Sequence, residues 1–223
     1  MGGLGLMFRR RAFQANPTHL SPLEGVEFFS ELVSDGASYI IVPDFKLQRW
    51  DSIDVAYSTS KQTNMFLFGS RWNKSITWLI STNIGGVFFS NWFDPSTTHQ
   101  PTSAVQLFGE KRKAKTDVAY SSMQGGLRRI YYQNDSAVLA VATGDEAEEY
   151  IAPLYIFASN QANSSAVDSR ILTGSISSFI VTDYDGRVKL DLKPCKYMGE
   201  PGMWDSVSQQ FFSNAGSGIF LVK

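Results

Sequence analysis

Thr173-Gly-Ser-Ile-Ser-Ser-Phe-Ile-Val181 and, two residues on, Tyr184-Asp-Gly-Arg-Val-Lys-Leu-Asp-Leu-Lys-Pro-Cys195 decide the fold. In the first run Ile176, Phe179 and Val181 supply apolar and β-branched bulk. In the second, Val188, Leu190 and Leu192 alternate with Lys189, Asp191 and Lys193, so one face is dry and the other wet. Between them Asp185-Gly186 tolerates the positive φ of a tight turn, and the whole reads as a β-hairpin. Pro194 carries no ladder donor, so it is expected to stop the second strand or to sit on a sheet edge.

The same pattern continues outward from that hairpin. Short strands broken by turn residues are predicted at 25–33, 37–42, 52–57, 64–69, 76–81, 86–92, 116–121, 128–133, 137–142, 153–158, 174–182 and 187–193, with shorter pieces near 210 and 220. Ile53, Val55 and Tyr57 oppose Asp54 and Ala56, and Ile76, Trp78 and Ile80 oppose Thr77 and Leu79. Gln133-Asn-Asp-Ser136 is a second tight-turn candidate, between Arg129–Tyr132 and Ala137–Val141. No long amphipathic helix interrupts these runs. Hairpins at this density call for antiparallel sheets, and so many strands exceed a small barrel, which leaves an all-β, two-sheet sandwich.

Composition agrees. The 223 residues suit one sandwich, and a 43% hydrophobic content with 16 Phe, 9 Tyr and 5 Trp can fill its interior. A net charge of -1 gives no broad positive field for nucleic acid or an anionic membrane, and no apolar run is long enough for a membrane span. The N-terminal charges follow a short apolar stretch, the reverse of a secretory signal. The basic run Lys111-Arg-Lys-Ala-Lys115 reads as a solvated loop between strands. Cys195 is the sole cysteine, so an intrachain disulfide or a Cys-x-x-Cys site is excluded, and it reads as buried filler.

Several segments resemble a known family. Tyr184 to Cys195, a Gly202-Met-Trp-Asp205 turn and Phe212-Ser-Asn-Ala-Gly-Ser-Gly-Ile-Phe220 resemble the C-terminal part of laminin-G-like, or concanavalin A-like, jelly-roll domains of phage virion proteins and gut bacterial surface proteins. Leu20–Leu32, Gly36-Ala-Ser-Tyr-Ile40 and Met65-Phe-Leu-Phe-Gly-Ser-Arg71 are similar to the family's opening and central strands. The resemblance covers about residues 20–223 and implies a jelly-roll domain there; residues 1–19, with glycines, a basic triplet and Asn16-Pro17 but no sustained period, read as an N-terminal arm, either anchoring or disordered. In that arm Phe8, Arg9, Arg10, Arg11 and Phe13 are the candidate anchoring residues.

Chemistry is poorly provided for. His19 and His99 have neither metal-pair nor triad spacing. Glu146 and Glu148 alternate in Asp145-Glu-Ala-Glu-Glu149, as an acid pair on a glycosidase strand would, but Tyr150 stands where a third acid would be expected. Asp44, Asp94 and Asp168 lie in loops where calcium is conceivable, without an Asp-x-Asp-x-Asp-Gly run. No other cofactor is implied. The binding suggestion lies in polar, aromatic loops: Trp72, Asn73, Asn91, Trp92, Asn160 and Asn163 combine rings that stack on sugars with amides that bond to hydroxyls.

The expectation is therefore a non-enzymatic phage or prophage virion component (capsid decoration, head fibre or tail fibre). The arm would join it to other virion proteins, and homo-oligomerisation and a host-surface glycan are further expected partners. It would be assembled in the host bacterial cytoplasm. The alternatives are a carbohydrate-binding module at a gut bacterium's cell surface and, less favoured, a glycoside hydrolase.

Overall fold

The computed structural model describes residues 24–48, 50–60, 65–71, 77–82, 88–91, 98–99, 112–120, 127–133, 136–142, 153–161, 164 and 166–223. The expected arm, with Phe8, Arg9, Arg10, Arg11 and Phe13, lies outside them. Among the described residues there is no helix, and the strands in chain order are β1 (Val26–Phe28), β2 (Leu32–Asp35), β3 (Ile40–Val42), β4 (Ser52–Thr59), β5 (Met65–Arg71), β6 (Thr77–Thr82), β7 (Phe88–Asn91), β8 (Thr98–His99), β9 (Arg112–Tyr120), β10 (Leu127–Gln133), β11 (Ser136–Ala142), β12 (Leu154–Ile156), β13 (Thr173–Thr182), β14 (Val188–Tyr197), β15 (Glu200–Asp205), β16 (Gln210–Ser213) and β17 (Leu221–Val222).

They form two antiparallel sheets. The larger runs β11-β10-β9-β4-β13-β14-β15-β16, with β1 on β14 and β2 on β13 and β17; the smaller runs β3-β12-β5-β6-β7-β8. The deciding hairpin is β13–β14, closed by Gly186 at φ 84° and by the Asp183 carboxylate accepting the Arg187 N–H at 2.8 Å. The second hairpin pairs Gln133 with Ser136.

The core lies between the sheets. Leu32, Ile53, Val55, Tyr57, Ile176, Phe179, Val181, Leu190, Leu192 and Met203 face Ile40, Met65, Leu67, Phe68, Leu154 and Ile156, all buried. Phe68 meets Phe179 edge to face across the layers at 5.2 Å between centroids. Each large apolar side chain removed from water here contributes about 1.5–3 kcal/mol. The alternation of Ile53, Val55 and Tyr57 appears as a buried row with half-exposed neighbours. The side chains of β6, including Trp78 and Ile80, lie outside the described set.

Four expectations change. The strand foreseen at 25–33 is two strands, because the chain turns at Phe29–Glu31, where β13 and β14 diverge; there the Lys223 carbonyl accepts the Ser30 N–H at 2.8 Å. Residues 112–115 are not a loop but the start of β9, with Lys113 opposite Ala56 and Lys115 opposite Asp54. Lys113, the residue of this run whose side chain is described, is exposed, so the charge there marks a solvent-facing strand position. Pro194 neither ends β14 nor sits on an edge: it pairs with Met203 on one side, and on the other its carbonyl accepts the Phe29 N–H at 3.0 Å. In an antiparallel ladder a residue's N–H and C=O point to the same neighbour, so the missing donor faces the end of β1, where the ladder has run out.

Gly202-Met-Trp-Asp205 likewise is not a turn but the buried end of β15. A Cβ on Gly202 would stand 2.3 Å from the Phe212 carbonyl oxygen and 2.7 Å from the Phe211 ring, so this glycine supplies room between strands. The turn begins one residue later.

Candidate functional site

Two sequence motifs far apart in the chain meet at one end of the sandwich. The Asn214 carboxamide oxygen accepts the Tyr39 N–H at 3.2 Å and the Gly216 N–H at 2.9 Å, and its NH2 donates to the Gly218 carbonyl at 2.7 Å. The Ala215 N–H reaches the Tyr39 carbonyl at 2.8 Å. Asp35 completes the join by accepting the Ala37 N–H at 2.9 Å, the Ser38 hydroxyl at 3.1 Å and the Ile219 N–H at 3.3 Å. The Ala37 N–H foremost, with the Ile219 and Ser38 donors, holds the Asp35 carboxyl below its ordinary range, against the slight burial that raises it. These residues close the fold and leave little for a ligand.

A cleft of about 190 Å³ opens where the β3 edge of the smaller sheet faces β14–β16 of the larger, lined by Val42, Pro43, Asp44, Phe45, Lys189, Leu190, Asp205, Ser208, Gln210 and Phe212. Its floor is apolar, with Phe45 and Phe212 half-buried against the core. Its rim is polar and held by two devices. At Asp205, which is 1% exposed, one carboxylate oxygen accepts the Asp191 N–H at 2.8 Å and the Val207 N–H at 3.1 Å, and the other accepts the Ser208 N–H at 3.0 Å and hydroxyl at 2.5 Å. Four donors fill both oxygens, which pins the β15–β16 turn.

The second device is Lys189. Its ammonium donates to the buried Asp51 carboxylate at 2.6 Å and to the Gln48 carboxamide oxygen at 3.3 Å, and lies 5.4 Å from the Phe45 ring centroid. Asp51 also accepts the Gln48 N–H at 2.8 Å. The segment from Phe45 to Asp51 is thereby strapped to β14, and Phe45 is presented at the cleft. Asp44 and Gln210 project from the rim, both exposed.

Of the six sequence-selected glycan-binding candidates only Asn160 has a described side chain, and it does not line this cleft. Asn160 is 2% exposed, and its NH2 donates to the Gln161 carbonyl at 3.2 Å and the Ser164 carbonyl at 3.0 Å, so it shapes its own loop rather than offering an amide to a ligand. That loop leaves β12 through Phe157 at φ 68°, a conformation held by Phe157's bonds to the Leu67 carbonyl and the Leu172 N–H. Asn91 lies in β7, and its side chain is outside the described set. Trp72, Asn73, Trp92 and Asn163 lie outside the described residues, as do Glu146, Glu148 and Asp94. Asp168 is engaged by the Arg170 guanidinium at 2.8 and 2.7 Å. Among the described residues no group of three His, Cys, Asp or Glu could hold a metal. Cys195 is buried, and its burial pushes the thiol up to about 12, which leaves almost no nucleophilic thiolate near neutral pH.

No protein-family model matches the chain, and no curated protein sequence matches it. Its architecture does recur among solved structures. A heptameric SAP-like pentraxin from Limulus polyphemus superimposes with a TM-score of 0.58 at 9% identity, over 92% of this chain and 98% of that one. A candidate carbohydrate-binding protein from Bacteroides ovatus gives 0.56 at 9% identity, over 88% of this chain and 60% of that one. The mouse laminin α1 LG4-5 fragment gives 0.50 at 11% identity, over 88% of this chain and 48% of that one. The chain thus has an antiparallel two-sheet jelly-roll fold, concanavalin A-like, as its motifs lead one to expect.

Proposed function

We propose that the chain is a non-enzymatic carbohydrate-binding jelly-roll module whose ligand sits in the cleft between β3 and β14–β16. One observation carries the reading: a half-buried ring, Phe45, beside the Lys189–Asp51 ion pair, shares the lining of one cleft with a carboxylate, an amide, a hydroxyl and an ammonium. A sugar presents an apolar C–H face and a belt of hydroxyls, and such a mixture meets both. The cleft is smaller than the roughly 300–1,000 Å³ of sites that enclose drug-sized molecules, which suits one ring of a longer glycan. The Bacteroides ovatus neighbour supports the ligand class by fold analogy.

The setting rests on the sequence resemblance. It supports display on a phage or prophage particle, with residues 1–19 joining the domain to other virion proteins, ahead of a bacterial cell surface. Repetition on a particle would raise a weak single-site affinity by about two to four decades of avidity.

A glycan array probed with a multimerised full-length chain tests the ligand class. Binding to a defined set of glycans is expected, falling about fivefold in Phe45→Ala, as the loss of one ring contact implies, and less in the rim variant Gln210→Ala. A multimer that binds nothing, or variants that bind like the parent, would refute the cleft. Mass spectrometry of purified particles, with the chain absent from them, would refute the virion setting.

A further inference from the structure

We infer that the cleft prefers a sugar bearing a protonated amine over a neutral or carboxylated one. The inference rests on the carbohydrate reading of the same cleft and adds the charge of its ligand. Its basis is an inventory of which groups remain available. Asp205 has both oxygens filled by four donors and is buried, so it acts on a ligand through its charge alone. Lys189, the cation that lines the cleft, spends two donors on Asp51 and Gln48, and the Asp51 carboxylate at 2.6 Å offsets its charge. Asp44 is the lining carboxylate exposed to accept from a ligand.

A ligand entering the cleft therefore meets the lining carboxylates of Asp44 and Asp205 against one ammonium, whose charge the buried Asp51 behind it already offsets. Lys46, next to Phe45, is exposed but does not line the cleft. The acceptor side of the rim is also the richer. Asp44 offers two carboxylate oxygens, the Ser208 hydroxyl donates its hydrogen bond to Asp205 and keeps lone pairs, and Gln210 adds a carboxamide oxygen. An ammonium group brings three donors and a positive charge to that rim. A carboxylate would find the last Lys189 donor and the Gln210 NH2, against the prevailing negative charge.

The test is titration of the full-length chain, followed by NMR or calorimetry, with three monosaccharides on a common ring: glucosamine, N-acetylglucosamine and glucuronate. Glucosamine is expected to bind about three- to tenfold more tightly than N-acetylglucosamine, an advantage of the size of a partly exposed ion pair. Glucuronate is expected to bind most weakly. Raising the salt concentration should shrink the glucosamine advantage, and Asp44→Asn should weaken glucosamine by more than it weakens N-acetylglucosamine, bringing the two toward parity. Asp44 is exposed, so this variant should fold normally. Equal or tighter binding of glucuronate, or an unchanged ratio in Asp44→Asn, overturns the inference while the carbohydrate site stands. If none of the three binds and the glycan array is also blank, both readings fall together.

Discussion

Gly216→Ala probes the join between the chain's two ends. A Cβ on Gly216 would lie 2.1 Å from the Ala37 carbonyl oxygen and 3.0 Å from the Tyr39 ring. Carbon and oxygen in favourable non-bonded contact stand about 3.3 Å apart, so one backbone must retreat by about an ångström. Ala37 is tied to Asp35 and followed by the buried Ser38, and the Asn214–Gly218 loop is the part that can lift. Lifting it stretches the Ala215 N–H to Tyr39 bond at 2.8 Å, the Gly218 N–H to Ala37 bond at 3.2 Å and the Tyr39 N–H to Asn214 bond at 3.2 Å. At about 1 kcal/mol each, partly recovered by water, the loss is about 2–3 kcal/mol. The control is Gly186→Ala, where φ is 84° and nothing lies within 4 Å of the added carbon; it costs about 1–2 kcal/mol from the left-handed backbone alone. Urea unfolding and thermal melts should therefore separate the two, with Tm falling by about 4–12 °C for Gly216→Ala and about 2–8 °C for Gly186→Ala. A Gly216→Ala protein at least as stable as Gly186→Ala would refute the argument that close approach, rather than backbone angle, demands glycine at 216.

Two further perturbations test the electrostatics. Lys189→Met removes an ammonium at 2.6 Å from Asp51, which is 1% exposed. Because Lys189 keeps partial access to water, the cost should be about 2–3 kcal/mol, below the 3–5 of a fully buried pair, and adding Asp51→Asn should recover part of it in a double-mutant cycle; strictly additive losses would show that the pair is not coupled. Asp35 supplies a pH signature. Its folded-state pKa is depressed, so its contribution is present above its ordinary value of 3.8 and disappears as the pH falls through the lower folded value. Asp35→Asn should be less stable than the parent at pH 7, and the two should converge in acid; a stability difference independent of pH down to acid unfolding would count against the assigned hydrogen bonds.

The cleft was less visible in the sequence than the strands. Its ring and carboxylate, Asp44-Phe45, stand in Pro43-Asp-Phe-Lys46, a turn with no repeated aromatic or amide to draw attention. Its other wall comes from β14–β16, some 145 residues further along, and no local pattern announces which loops will face each other. Asn160 misled for the complementary reason: a polar side chain in a polar loop reads as exposed until the loop is seen folded over it. Lys111–Lys115 misled because charge suggested a loop, whereas residues 112–115 open β9, with Lys113 exposed on it.

The alternation of apolar and polar residues, the Asp185-Gly186 turn and the lack of helical periods were enough to establish an antiparallel sandwich, because the two-residue repeat of a strand is a local property of the chain. The ordered motifs added its jelly-roll character. Tertiary structure alone decided that Asn214–Gly218 closes on Gly36–Tyr39, that Pro194 spends its missing donor where a strand ends, and that Lys189 belongs to Asp51 while Asp44 stays open to solvent. The reason is physical: a side chain's pattern fixes which face of a strand it occupies, but its partners and its access to water depend on strands brought alongside from distant parts of the chain.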